Sequence, residues 1–177
     1  TNTELLIFLY LYSNKLHFHF LEGSFEEGEY LVDIINNKID QYKNRLDNHY
    51  IVLLYYKIAC LYFGMGKNKL CIAYLQKIIR SKNISAAEDL QCFARVLNLI
   101  AHYECGLDYD LERQFVDTYK FLLKMENLQE VQKVFLTSIR DLSDVFPHEI
   151  KNEFKKIHGK LKKFENHPYE KRAFLYL

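Results

Sequence analysis

Residues Tyr55–Leu75 read YYKIACLYFGMGKNKLCIAYL. Apolar side chains recur at helical spacing as far as Phe63, break at Gly64 and Gly66, and resume in a shifted phase through Leu70, Cys71 and Leu75. A helical stripe that stops at glycine and restarts out of phase belongs to two helices joined by a tight turn. The stretch predicts a helical hairpin.

The same marker recurs. An aromatic followed by a turn glycine occurs at Phe20/Gly23, Tyr62/Gly64 and Tyr103/Gly106, at intervals of 41 to 42 residues. After each turn a small or apolar pair follows four residues apart: Gly28 and Val32, Cys71 and Leu75, Leu111 and Phe115. Three hairpins at one period signal stacked helix pairs.

Composition agrees. Six glycines and two prolines in 177 residues are too few for the turns of an all-β chain, and 49% hydrophobic with 15% aromatic content excludes disorder. Helix starts are expected at the Ser24/Glu27 and Ser85/Glu88 capping boxes and at the Asn127/Glu130 variant, with Pro147 and Pro168 in first turns. The resulting helices are 3–22, 24–45, 49–65, 68–82, 86–105, 109–124, 128–142, 147–164 and 169–177. They pair as antiparallel hairpins 3–45, 49–82, 86–124 and 128–164, followed by a terminal helix, all in one domain.

Tyr55-x2-Ile58-Ala59-x2-Tyr62, the turn at Gly66, and Cys71-x3-Leu75 together resemble one tetratricopeptide repeat. Tyr55 stands at the family's Trp position, Ile58 and Ala59 at its Leu-Gly, Tyr62 at its Tyr, and Cys71 at the small residue where the helices cross. Leu16, His17 and Phe20 match more weakly in the first hairpin, as do Leu99, Ile100 and Tyr103 in the third. The likeness covers roughly residues 10–125. It departs from the family's 34-residue period by about one helical turn per helix, and Asn83 lies near the place of the closing Pro. The resemblance implies an all-α, right-handed superhelical solenoid. On this plan Ala59 and Cys71 are small because backbones approach there, and Tyr55 and Tyr62 fill the space toward the next hairpin.

First helices of the resembled family line a concave groove that holds a partner's peptide. In this chain that implies Arg95, Asn98 and His102, at i, i+3 and i+7, with Glu104 close by. Asn14 and the pair Tyr56 and Lys57 occupy nearly matching places in the earlier hairpins. The expected function is a non-catalytic protein–protein interaction module or scaffold that binds a peptide or helix of another protein. Self-association through the Phe- and Tyr-rich ends is also expected.

Chemistry is not announced. His17 and His19 point about 200° apart on a helix and cannot share an ion. FGMGKNK (Phe63–Lys69) lacks the phosphate-loop spacing, and Cys105 near His102 has no orienting third group. No cofactor, metal or catalytic residue is assigned. Cys60, Cys71, Cys92 and Cys105 form no CxxC pair and are expected as buried, reduced thiols. With no signal peptide visible, this points to a cytoplasmic chain. The apolar run LLIFLYLY (Leu5–Tyr12) is too short to span a bilayer. The start at Thr1 and the apolar end at Leu177 suggest a piece of a longer protein.

Net charge is +1, which argues against a general polyanion binder. The one basic run is 155–172, KKIHGKLKKFENHPYEKR, with Lys151 upstream. It is expected as the solvated face of a terminal helix. The alternative is a regulatory portion of a larger regulator that contacts nucleic acid or an anionic partner through this segment.

Overall fold

A computed structural model describes residues 2–42, 44–81, 88–106, 108–123, 130–142 and 149–168. Among these the chain is all-helical: α1 (Asn2–Glu22), a 3-10 turn (Glu26–Gly28), α2 (Tyr30–Tyr42), α3 (Asn48–Gly64), α4 (Asn68–Ile79), α5 (Glu88–Glu104), α6 (Asp108–Leu123), α7 (Glu130–Leu142) and α8 (Ile150–Lys162). No strand occurs among the described residues. The chain divides into two compact units, Thr1–Phe115 and Val116–Leu177, with the division inside α6.

Three of the glycine stops are where the sequence puts them, whereas Gly64, the expected marker of the second turn, is the last residue of α3. Gly23, Gly66 and Gly106 have φ of 69°, 70° and 65°, a region that a Cβ disfavours. At the end of α3, Lys67 N–H reaches back to Tyr62 O (2.9 Å), and at the end of α1, Ser24 N–H reaches His19 O (3.1 Å). These long back-bonds are the Schellman closure of a helix C-terminus. The start of α3 is set by Asp47, whose carboxylate accepts from His49 N–H at 2.9 Å.

The entry to α2 differs from expectation. Ser24 does not cap a helix; its hydroxyl pairs with His19 Nδ1 at 2.8 Å, and α2 begins only at Tyr30. Tertiary packing outweighs the local box. The Phe25 ring stacks edge-on against Phe20 (5.7 Å) and lies where a Cβ on Gly64 would sit, 2.5 Å from its Cδ1. Gly28 is buried, and a Cβ there would meet Leu61 Cδ1 at 2.9 Å and the His19 ring at 3.1 Å. The chain therefore needs a short 3-10 turn to place Phe25 and Gly28 before α2 can start. The Ser85 and Asn127 starts, Pro147 and the 169–177 helix fall outside the described residues. Pro168 is exposed and follows α8.

In the first unit, α3 packs most extensively on α4, and α4 packs on α5 to a similar extent. The first helices of successive hairpins also touch, α1 against α3 and α3 against α5. Leu31, Ile35, Ile58, Leu61, Leu75 and Ile78 are fully buried at this centre. Ala59 and Cys71 have no exposed surface either. Replacing Cys71 by Phe is expected to cost about 1–3 kcal/mol of stability, measured by urea unfolding against wild type.

The tyrosines are arranged differently from the expected plan. Tyr55 and Tyr62 both pack on Tyr74 of their own hairpin, with ring centroids at 5.8 Å and 5.7 Å. The residue that reaches the next hairpin is Tyr56, 6.4 Å from Phe93 of α5. One residue is about 100° of helix rotation, so the step from Tyr55 to Tyr56 exchanges one neighbour for another. The Tyr74 hydroxyl accepts from Asn36 Nδ2 at 2.6 Å, tying α2 to α4. The three aromatic markers are also unequal: Tyr62 is buried, Phe20 half-buried and Tyr103 exposed.

In the second unit, α7 packs on α8, burying Val131 and Ser138 with Ile157, Leu161 and Phe164.

Candidate functional site

The seven residues singled out by sequence divide into two groups. Asn98 is 1% exposed and His102 5% exposed. Asn98 Oδ1 accepts from Gln76 Nε2 of α4 at 3.3 Å, and its Nδ2 donates to Gln114 Oε1 of α6 at 3.1 Å. His102 Nδ1 pairs with the Asn98 carbonyl oxygen at 2.7 Å. These polar groups fasten three helices together, and their side chains offer almost no surface to a partner. Tyr56 is likewise core, 3% exposed against Phe93.

Arg95 and Lys57 are half-buried, while Asn14 and Glu104 are exposed. Lys57 Nζ donates to Ser13 O of α1 at 3.0 Å, so α3 is tied to α1 immediately beside Asn14. Burial lowers the Lys57 ammonium below its ordinary value. Of the seven, then, the half-buried Lys57 is tied to the residue next to the exposed Asn14, and Asn98 and His102 are joined within the interior.

The outward face of α1 lies at one of the Phe- and Tyr-rich ends that the sequence marks for self-association, although the sequence did not single out its exposed residues. Leu5, Leu9 and Leu16 turn inward and are buried. The opposite side carries Leu6, Ile7, Tyr10, Leu11, Phe18 and Leu21, each between 45% and 77% exposed, with Asn14 in their midst. A helix that is apolar all round is ordinarily buried all round. The signal was present in LLIFLYLY and its continuation. Contiguous apolar surface on this scale marks interaction sites.

Other surfaces are quieter. Among the described residues no group of three His, Cys, Asp or Glu stands together as ligands for a metal ion. His17 is exposed, and His19 is engaged by Ser24. In the second unit an open recess of about 330 Å³ is lined by Glu130, Lys133, Val134, Thr137, Ser138 and Lys160. Lys133 pairs with Glu130 there at 2.7 Å and holds its carboxyl below the usual carboxylate range. On α8 and the turn after it, Lys155, Lys156, Lys160, Lys162 and Lys163 are exposed, opposite the buried Ile157, Leu161 and Phe164. Lys156 is paired with Glu153. This is the geometry of a solvated amphipathic face.

All four cysteines are free thiols, with Cys71 and Cys92 buried and Cys60 and Cys105 half-buried. Burial pushes the Cys60 thiol up to about 12, with smaller opposing effects from a Tyr56 hydrogen bond and Lys57. The folded chain therefore holds this proton more tightly than the unfolded one does. That stabilising contribution is whole below an ordinary thiol value near 9 and is lost as pH rises toward 12. Thiol titration of the native protein at pH 8 is expected to leave Cys60 unreacted on the timescale in which the urea-unfolded chain reacts completely.

No helix among the described residues is long and apolar enough to cross a membrane. Compared with known proteins, the chain matches no protein-family model, no curated protein and no solved structure.

Proposed function

We propose that this chain is a non-catalytic interaction module, tetratricopeptide-like in its hairpin plan, which binds a helix of another protein. The observation that carries the reading is the outward face of α1, where six large apolar side chains surround Asn14 in open solvent. Such a stripe is the counterpart of an amphipathic helix whose anchors recur at i, i+3, i+4 and i+7. Support comes from the adjacency of α1, α3 and α5, the row that first helices form when hairpins stack into a solenoid. In this reading Asn14 is a binding residue. Lys57 positions α1 through Ser13, and Arg95 and Glu104 lie along the same row. Asn98, His102 and Tyr56 support the scaffold.

The test is selection from a displayed library of helical peptides on the intact chain. Enrichment of amphipathic helices with leucine-like anchors is expected. Tyr10→Glu, at a residue 77% exposed, should abolish capture while leaving the far-ultraviolet circular dichroism unchanged. Failure to enrich any helix, or enrichment indifferent to Tyr10→Glu, overturns the proposal.

A further inference from the structure

We infer that the helix this face accepts is α1 of a second copy, docked antiparallel about a two-fold axis that passes beside Asn14. This rests on the reading of the α1 face as a binding surface.

The exposed stripe is self-complementary. Ile7, Tyr10, Asn14, His17 and Leu21 are separated by alternating steps of three and four, the seam of a two-helix coil. Centred on Asn14, the outward face carries apolar side chains at matched distances on either side, Ile7 and Leu21 seven residues away and Tyr10 and Phe18 four. A two-fold interface pairs each residue with the one whose number completes 28. Ile7 then meets Leu21 of the other copy, Tyr10 meets Phe18, Leu11 meets His17, Asn14 meets itself, and Leu6 at the rim meets Glu22. The pairings put aliphatic on aliphatic and ring on ring at the two ends. At the centre, two facing amides can each donate to the other's oxygen. A polar Asn at the centre of a largely apolar seam is a device that fixes register in paired helices, and His17 is the other polar group in this one.

Charge and area point the same way. Only Glu4, Lys15 and Glu22 are formally charged in the 21 residues of α1, and interface centres are depleted in charge. On the scale of the surface that buried aromatic side chains remove from water, the six exposed apolar groups present on the order of 600 Å². A standard interface takes about 800 Å² from each partner. The stripe is therefore enough for a reversible dimer, with an expected dissociation constant on the order of micromolar.

Sedimentation equilibrium of the whole chain tests this. A monomer–dimer equilibrium is expected in the low micromolar range, weakened at least about 100-fold by Tyr10→Glu combined with Phe18→Glu. The two substitutions place carboxylates opposite one another across the axis. Should that variant fail to fold, Asn14→Cys provides an independent reading. Mild oxidation is expected to link it to itself as a covalent dimer, while Lys69→Cys, on exposed α4 surface, stays unlinked. A wild-type chain that remains monomeric at about 100 μM overturns the inference. So does a dimer indifferent to the double substitution, or Asn14→Cys linking no better than Lys69→Cys. A monomer that still selects helical peptides through α1 leaves the interaction reading standing and removes only the second copy. A monomer that selects none removes both.

Discussion

Leu61→Ala lowers the free energy of unfolding by about 2–5 kcal/mol. The measurement is urea denaturation, where the midpoint falls and the slope is unchanged. Leu61 has no exposed surface, and it stands where α3 faces the backbone of Gly28. Truncation removes the buried methyls and leaves a void, and the lining relaxes only in part. The site carries its own control. Gly28→Ala alone would bring a methyl to 2.9 Å from Leu61 Cδ1 and 3.1 Å from the His19 ring. His19 is held by Ser24 and has little room to retreat, so the single change costs about 1–3 kcal/mol. In the Leu61→Ala background the same methyl no longer meets Leu61, although it still meets the His19 ring, and recovers part of the loss. The two changes are therefore expected to be non-additive by more than about 0.5 kcal/mol, as contacting residues are. Strict additivity would mean that Gly28 and Leu61 do not touch.

The second large effect is at Asn98. Asn98→Ala is expected to cost about 1 kcal/mol or more in stability, because the buried amide joins the half-buried Gln76 and Gln114 and its loss removes both hydrogen bonds. The same variant should leave capture of helical peptides by α1 intact once the folded fraction is accounted for. A variant with unaltered stability and abolished binding would instead make Asn98 a contact residue. Thermal denaturation beside a binding isotherm separates the two outcomes.

That pair of results shows where the sequence is legible. The turns at Gly23, Gly66 and Gly106 were readable because a positive φ is a local demand, answered by a residue with no Cβ. Ala59 and Cys71 were readable as small residues inside apolar stripes, and both are fully buried. Asn98 and His102 were not. A polar stripe at i, i+3 and i+7 looks the same whether it meets water or the amides of other helices, and Gln76 and Gln114 lie 22 and 16 residues away. The choice between Tyr55 and Tyr56 as the bridge to α5 turned on about 100° of rotation, finer than apolar periodicity specifies in a helix hydrophobic on nearly every side. The Ser24 box failed because Phe25 and Gly28 must be seated against α3 first. On α1 the inward side is chosen by what α3 presents, including Lys57 reaching Ser13. The leftover side is visible only once that choice has been made.

The place of α4 has a mechanical consequence. Pressed about equally by α3 and α5, and anchored to α2 by the Asn36–Tyr74 bond, it leaves no weak plane between one hairpin and the next. Stretched from its two ends in an optical trap, the segment from α2 to α5 should rupture in a single step. A staircase of hairpin-sized extensions requires a fault line, and this helix spans it.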